Sequence, residues 1–272
     1  MLKIENIEVT GWEAAIRGMR NPMNSWEKSD TKLVPDGEVC TWTINNPYFE
    51  REAPEIGSND LDLMRRLAKG GATHAKYRRM INVTMDITAP LYWWKEFDTY
   101  KVGTVANSCS TMHKIQAKEF TRDDFSCERL FPAAKEQLKS TIDLLNYYRD
   151  IYVNGKEPTE TELGVEPGVK TFWWQMIQLL PSSYNQRRTV QFNYEVLSHI
   201  YFDRRNHKLD CWHTFCDMIE QLPYAEDIII VGSKDAESDS EDALKKENEE
   251  FKKKIEFLEG FIHSYTPGLK GL

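Results

Sequence analysis

One segment of regular alternation limits what this chain can fold into more than any other feature. Residues 80–88 read MINVTMDIT, in which every second residue from Ile81 to Ile87 is apolar and the residues between them are polar. A period of two places the apolar side chains on one face of an extended strand. Pro90 then opens a bulky aromatic segment, LYWWKEFDTYK, at a first-turn position where its missing N–H costs little. The sequence therefore predicts a half-buried strand that leads directly into a helix of the core.

Weaker periodic patterns complete an α/β fold. Residues 3–10 alternate well enough for a second strand, and a third short strand is expected near residues 39–44. Apolar residues spaced three and four apart indicate helices. These helices are predicted over residues 12–20, 61–69, 132–152, 168–180 and, in two pieces, 183–222. The expected fold is a small, mostly antiparallel sheet with long helices.

The chain changes character after residue 232. Residues 233–243 lie in a charged, Ser-rich stretch that indicates a linker. Residues 244–272 are predicted to form a C-terminal amphipathic helix, because apolar side chains recur there at spacings of four and three. The helix face that these positions form, here called the seam, consists of Leu244, Asn248, Phe251, Ile255, Leu258 and Ile262. Either the domain formed by residues 1–232 or the same helix of another subunit could cover this seam.

Composition excludes several classes of protein. With 272 residues, 40% of them hydrophobic, the chain can bury a substantial core. Its net charge of -8 does not suit a protein that wraps nucleic acid, which needs a basic face. The 5 Cys residues include no CxxC pair, and no apolar run is long enough to span a bilayer. We therefore expect a soluble, cytoplasmic protein without a disulfide framework.

The common catalytic motifs do not occur in this sequence. There is no GxGxxG, P-loop, GxSxG or HExxH. His207 and His213 lie near Cys211, but histidines on a helix surface beside a buried Cys are commoner than a metal site. No metal is therefore predicted.

A series of short motifs in a fixed order carries the functional prediction. The series, in chain order, is Gly70-Gly71, Thr73-His74, Glu96, Thr99-Tyr100-Lys101, Thr104, Asn107-Ser108, Ser110, Leu180-Pro181, Asn193, His199 and Arg204. This order and spacing resembles the flavin-dependent thymidylate synthases, the ThyX family, over most of residues 1–225. Glu96 falls near a Gln of the family, and His199 falls on an Asn that contacts the flavin.

The resemblance implies a specific chemistry. Family members bind FAD at the subunit interfaces of a homotetramer, together with dUMP, a pyrimidine nucleoside monophosphate. They take reducing equivalents from NADPH and a one-carbon unit from methylenetetrahydrofolate, and they produce dTMP. Carried over residue by residue, the implied roles are catalytic for Arg204 and Lys101, substrate-binding for Glu96, Ser110 and Arg204, and cofactor-binding for His74, Asn193 and His199.

Two departures from the family pattern leave other functions open. The family's Arg-His-Arg falls on Thr99-Tyr100-Lys101, and an arginine that contacts the substrate falls on Thr111 or Met112. Each loss removes a guanidinium that could donate paired hydrogen bonds. The alternatives are a non-catalytic module that keeps the fold for nucleotide binding or interaction, and an enzyme that modifies a different pyrimidine nucleotide. Arg204 and its neighbour Arg205 are also typical of a solvated helix face.

Overall fold

A small antiparallel sheet forms the centre of the protein. A computed structural model describes residues 2–32, 40–42, 54–155 and 169–231. Its strands are β1 (Lys3–Thr10), β2 (Cys40–Trp42), β3 (Asn82–Pro90), β4 (Val105–Ser108) and β5 (Asn185–Asn193). They are ordered β2-β1-β3-β5-β4, and every neighbouring pair is antiparallel. The predicted α/β fold with a small antiparallel sheet is therefore confirmed.

Helices of very different lengths surround this sheet. They are α1 (Trp12–Arg20), α2 (Ser58–Lys69), α3 (Leu91–Phe97), α4 (Thr111–Lys114), α5 (Pro132–Asn154), α6 (Val169–Leu179), α7 (Tyr194–Arg204), α8 (Asp210–Glu220) and α9 (Ala225–Ile228). Short 3-10 turns add Asn21–Met23, Trp26–Lys28, Ala75–Met80 and Arg122–Asp124. Helix α5 ends, as predicted, at Gly155, whose φ of 68° is the left-handed conformation that glycine adopts without strain. None of the helices in these ranges is long and apolar enough to cross a membrane.

The alternating segment singled out in the sequence is the central strand β3. It pairs with β1 on one side and with β5 on the other, and its register with β5 runs unbroken from Asn82–Asn193 to Pro90–Asn185. Its apolar side chains are fully buried, whereas the alternate polar ones are partly exposed. Pro90 is the last residue of the strand and the cap of α3, one position earlier than the sequence suggested. The aromatic residues that follow fill the core, with contributions from Trp93, Trp94, Phe97, Trp212 and Phe215.

The sequence prediction was wrong between residues 183 and 193. That segment was expected to begin a helix, but residues Asn185–Asn193 form strand β5. The reason is that the even-numbered positions 186, 188, 190 and 192 are buried or half-buried, while the odd-numbered positions between them are exposed. Pairing along all of β3 stabilises this extended conformation, and that partner lies about 100 residues earlier in the chain. The helices predicted for the rest of residues 183–222 are confirmed as α7 and α8.

A buried carboxylate network joins α1, α2 and the chain segment between them. Asp60 is 0% exposed and accepts hydrogen bonds from Arg20 Nε at 2.6 Å, Thr31 Oγ1 at 2.6 Å and Ser29 Oγ at 2.8 Å. The first turn of α2 is capped by Asp30, whose carboxylate accepts from the backbone N–H groups of residues 59 and 60. The cap of α2 therefore comes from a residue about 30 positions earlier in the chain.

The predicted linker at 233–243 and the predicted helix at 244–272 lie outside the described residues. They remain predictions, together with the boundary at residue 232 that separates them from the domain.

Candidate functional site

The candidate site lies where α3, α7 and α8 meet. Glu96 on α3 accepts a hydrogen bond from Arg204 Nη1 at the end of α7, with 3.1 Å between Nη1 and Glu96 Oε2. Trp212 Nε1 on α8 donates to the same oxygen at 2.9 Å, and His207 Nε2 lies 3.3 Å from it. The backbone N–H of Leu209 donates to His207 Nδ1 at 3.2 Å, which leaves the ring proton of His207 on the Nε2 that faces Glu96. Two N–H donors and a ring nitrogen of His207 therefore surround Glu96 Oε2.

Aromatic rings hold the guanidinium of Arg204 in place. Its carbon lies 4.9 Å from the ring centre of Trp212 and 5.5 Å from that of Tyr100, and its Nε donates to the Tyr100 hydroxyl at 2.8 Å. Burial raises the pKa of Tyr100 and outweighs the opposing effect of Arg204. The phenol therefore stays protonated near neutral pH, and it donates to Asp203 at 3.2 Å. The result is a rigid cation whose surroundings are aromatic on two sides.

Each partner of this ion pair keeps one polar atom uncommitted. In the part of the chain that the structure describes, Glu96 Oε1 accepts no hydrogen bond and Arg204 Nη2 donates none. The Glu96 side chain is 32% exposed, so a small molecule can reach it. The ion pair thus presents one acceptor and one donor to a ligand.

Asn193 and Lys101 belong to a neighbouring part of the same surface. Asn193 is not inside a helix, as the sequence had suggested, but caps α7 by accepting from the backbone N–H of Val196 at 3.1 Å. A Cβ on Gly103 would lie 3.2 Å from Asn193 Nδ2, so the glycine lets the loop approach this amide closely. Lys101 is exposed in that loop and makes no ion pair with any described residue.

Ser110 lies elsewhere. Its hydroxyl caps α4 by accepting from the backbone N–H of His113 at 3.0 Å, and it lines a cavity of about 460 Å³. Lys114, Tyr184 and Arg187 line the same cavity. None of the other predicted site residues does. Among the described residues, Ser110 therefore shares neither this cavity nor a hydrogen bond with Glu96 or Arg204.

His74 and His199 both lie at the surface. His74 is exposed at the start of the Ala75–Met80 turn. His199 is 62% exposed on α7 and lies 3.6 Å from the buried carboxylate of Glu195. Glu195 in turn faces the buried Arg78, with 3.5 Å between Arg78 Nη1 and Glu195 Oε2. This pair connects the turn that follows His74 to the helix that carries His199.

Sequence reasoning missed several members of the site. It did not find the roles of Tyr100, His207 and Trp212, nor the buried pair formed by Arg78 and Glu195. No local pattern marks these residues, because their partners come from other elements of the fold. The sequence predicts no metal at His207 and His213, and in the structure His213 Nε2 contacts the backbone oxygen of His207. Within the described residues no group of three His, Cys, Asp or Glu side chains could hold a metal ion.

Comparison with known proteins places the fold. No family model and no curated protein matches the chain by sequence. Two crystal structures of thymidylate synthase X (ThyX) from Helicobacter pylori, both with FAD and dUMP, match it in three dimensions. In each case the TM-score is 0.52 at 14% sequence identity, over 85% and 84% of this chain and 98% of the other. The chain therefore has the fold of the flavin-dependent thymidylate synthases, a likeness of architecture rather than of sequence.

Proposed function

We propose that this protein is a divergent flavin-dependent enzyme that acts on a pyrimidine nucleoside monophosphate. In its simplest form the reaction is the reductive methylation of dUMP to dTMP, with FAD as the cofactor and with NADPH and methylenetetrahydrofolate as co-substrates. One observation carries the proposal: Glu96 and Arg204 are 108 positions apart, the resemblance assigns both to the substrate, and they meet at 3.1 Å. The ThyX-like fold supports it independently.

The geometry of this pair suits a pyrimidine ring. The guanidinium of Arg204 is held beside two aromatic rings, and its free Nη2 can donate to a carbonyl or ring nitrogen of the base. Glu96 Oε1 can accept from an N–H group of the same base. Because the hydrogen bonds and aromatic contacts already fix both side chains, little conformational entropy is lost when the base binds.

The residues that are predicted to bind the flavin suit a cofactor that lies on the surface of one chain. His74 and His199 expose their rings, and Asn193 is half-buried beside the loop at Gly103. We assign to His74, Asn193 and His199 the hydrogen bonds that would hold FAD. When bound, FAD would supply the hydride-transfer chemistry that no side chain can provide.

The separation of Ser110 from the ion pair favours a site shared between subunits. Ser110 lines a cavity that neither Glu96 nor Arg204 lines, which supports a nucleotide site built from residues of two copies. Lys114 and Arg187 line that cavity and can supply positive charge for a phosphate. The proposed assembly is a homo-oligomer, and a homotetramer in the form that the resemblance implies.

A second candidate function is a non-catalytic nucleotide-binding module on the same fold. Glu96 neutralises Arg204, and two of the three nitrogens of that guanidinium are already hydrogen-bonded. Thr99 and Tyr100 stand where the family has the first Arg and the His of its motif. These features weaken catalysis more than they weaken binding.

The absorbance spectrum of the purified full-length protein distinguishes the proposed flavin-dependent enzyme from the non-catalytic module. The enzyme is expected to show the visible absorbance of bound flavin, and His199→Ala should lower its flavin content, because the variant removes a proposed contact. Asn206→Ala, an exposed change just beyond α7, serves as the control and should keep the flavin. If the folded wild-type protein takes up no flavin even with excess FAD, the enzyme is ruled out and only the module remains.

A further inference from the structure

We infer that strand β4 is an interaction surface for a second copy of this chain, and that the two β4 strands pair antiparallel about a two-fold axis at Asn107. Strand β4 is the last strand at one edge of the sheet, so one side of its backbone faces no other described strand. The inference rests on the proposed function only for the choice of partner, because the shared nucleotide site proposed above also uses a second copy.

Strand β4 has none of the features that usually protect an edge strand. All of its residues are exposed, on both faces of the sheet. Its sequence, Val-Ala-Asn-Ser, contains no charge and no proline, and its register with β5 is unbroken. Charges, prolines and bulges are the means by which proteins keep an edge strand from pairing with another chain. The edge is therefore open to another strand, and two identical copies of it do not repel each other.

The hydrogen bonds to β5 determine which backbone groups of β4 are free. Just beyond the end of β4, the N–H of Cys109 donates to the Arg187 carbonyl at 2.9 Å. Backbone groups of an antiparallel strand alternate between its two sides. Asn107 therefore also points toward β5, whereas Ala106 and Ser108 point outward. The outer side of β4 thus presents the N–H and C=O groups of Ala106 and Ser108.

A two-fold axis restricts how two such strands can pair. Hydrogen-bonded and non-hydrogen-bonded pairs alternate along an antiparallel ladder, so the axis must pass a residue that lies opposite its own copy. With Asn107 in that position, Ala106 of each copy lies opposite Ser108 of the other, and both pairs exchange their backbone hydrogen bonds. An axis at any other residue of β4 pairs Ala106 or Ser108 with a residue outside the strand. The axis at Asn107 therefore satisfies all the free backbone groups of β4 within the strand itself.

The same pairing brings complementary side chains together. Val102 and Met112 flank β4 at opposite ends and are 91% and 51% exposed. An antiparallel pair places the start of one strand beside the end of the other, so Val102 approaches Met112 of the partner subunit and each covers the other. Likewise, the exposed Lys101 approaches Ser110 of the partner subunit and the cavity that this serine lines. A strand of another protein would satisfy the backbone alone, whereas a second copy also supplies these two matches.

Disulfide cross-linking of the full-length protein tests the inference. Opposite residues of a non-hydrogen-bonded pair have Cα atoms about 4.5 Å apart, and a disulfide spans about 4.4–6.8 Å. The double variant Asn107→Cys/Cys109→Ser should therefore form a covalent dimer on mild oxidation with diamide, seen on a non-reducing gel. The wild-type protein is the control: Cys109 is exposed, but pairing about Asn107 separates its two copies by roughly 14 Å. It should not form the covalent dimer.

Two further variants test the register and the backbone contact. Residue 105 lies opposite Cys109 of the partner subunit in this register, so Val105→Cys should form a covalent dimer, and adding Cys109→Ser should abolish it. Ala106→Pro removes an outward N–H and leaves the bonds to β5 intact, as proline does on a strand edge. It should weaken self-association at least roughly tenfold in analytical ultracentrifugation.

The outcomes separate this inference from the proposed function, because cross-linking requires neither flavin nor nucleotide. Covalent dimers in a protein that binds no flavin and no nucleotide would keep the interface and remove the enzyme. If the folded Asn107→Cys/Cys109→Ser variant forms no more dimer than the wild-type protein, the inference is overturned. A Val105→Cys dimer that survives Cys109→Ser overturns the register. Either cysteine variant decides the matter if the other does not fold.

Discussion

Replacing Asp60 by asparagine is expected to destabilise the protein by about 3–5 kcal/mol, the cost of leaving one partner of a buried ion pair unpaired. Arg20 is only 3% exposed and has no other carboxylate among its described partners, so the variant leaves its charge buried without compensation. The change also weakens the hydrogen bonds that tether Ser29 and Thr31 to α2. The melting temperature should fall by roughly 10 °C or more in calorimetry or circular dichroism.

Asp62→Asn is the matched control for this variant. Asp62 lies on the same helix, but both side chains of its ion pair with Arg66 are exposed. The pair should contribute no more than about 0.5 kcal/mol to the free energy of unfolding. Similar melting temperatures for the two variants would contradict the structural role given to Asp60.

The same network predicts sensitivity to acid. Burial raises the pKa of Asp60, but hydrogen bonds from Thr31, Ser29 and Arg20 lower it by more, so the net pKa lies below the ordinary aspartate value. A carboxylate with a depressed pKa adds stability above its unfolded pKa and loses that stability as the pH falls through the folded pKa. The difference in stability between wild type and Asp60→Asn should therefore be full at neutral pH and shrink in strong acid.

Replacing Arg204 by methionine is expected to weaken pyrimidine nucleotide binding by about 1.5–3 kcal/mol, or roughly 10- to 150-fold. Methionine keeps a long apolar side chain against Trp212 and Tyr100, but it removes the donor that we assign to the base. It also leaves Glu96 without its cationic partner. The dissociation constant from calorimetry, for whichever of dUMP and dCMP binds more tightly, measures the effect.

Arg205→Met provides the comparison for this second variant. Arg205 is the next residue in the chain, and its guanidinium pairs with Asp217 and Glu220 at the surface. The Arg205 variant should bind the nucleotide as the wild-type protein does. If Arg204→Met binds with unchanged affinity while remaining folded, Arg204 is a structural residue of the α3–α7–α8 junction and not a ligand-binding one.

The sequence predicted those parts of the fold that depend on local periodicity. The strict alternation of β3 and the three-and-four spacing of α5 each follow from which face of the element is buried, so both were found. Strand β5 was missed because Arg187 and Arg188 interrupt its alternation and because its pairing with β3 is a long-range contact. Long-range pairing can impose a conformation that the local sequence does not favour.

The candidate site was predictable residue by residue but not as an arrangement. The resemblance selected Glu96 and Arg204 separately, and only the fold shows that they form a pair. The resemblance could not show that Trp212 donates to the same carboxylate oxygen and that His207 Nε2 lies 3.3 Å from it. It also gave no sign that Ser110 lines a cavity that neither Glu96 nor Arg204 lines, because distance within one chain is not encoded in motif order.

A crystal structure of the protein with a bound pyrimidine nucleotide tests the central claim most directly. We predict that the base lies within hydrogen-bonding distance of Glu96 Oε1 and Arg204 Nη2. We also predict that its phosphate reaches the Ser110 cavity of a second copy of the chain. A nucleotide that binds elsewhere, with no contact to either Glu96 or Arg204, would contradict the account.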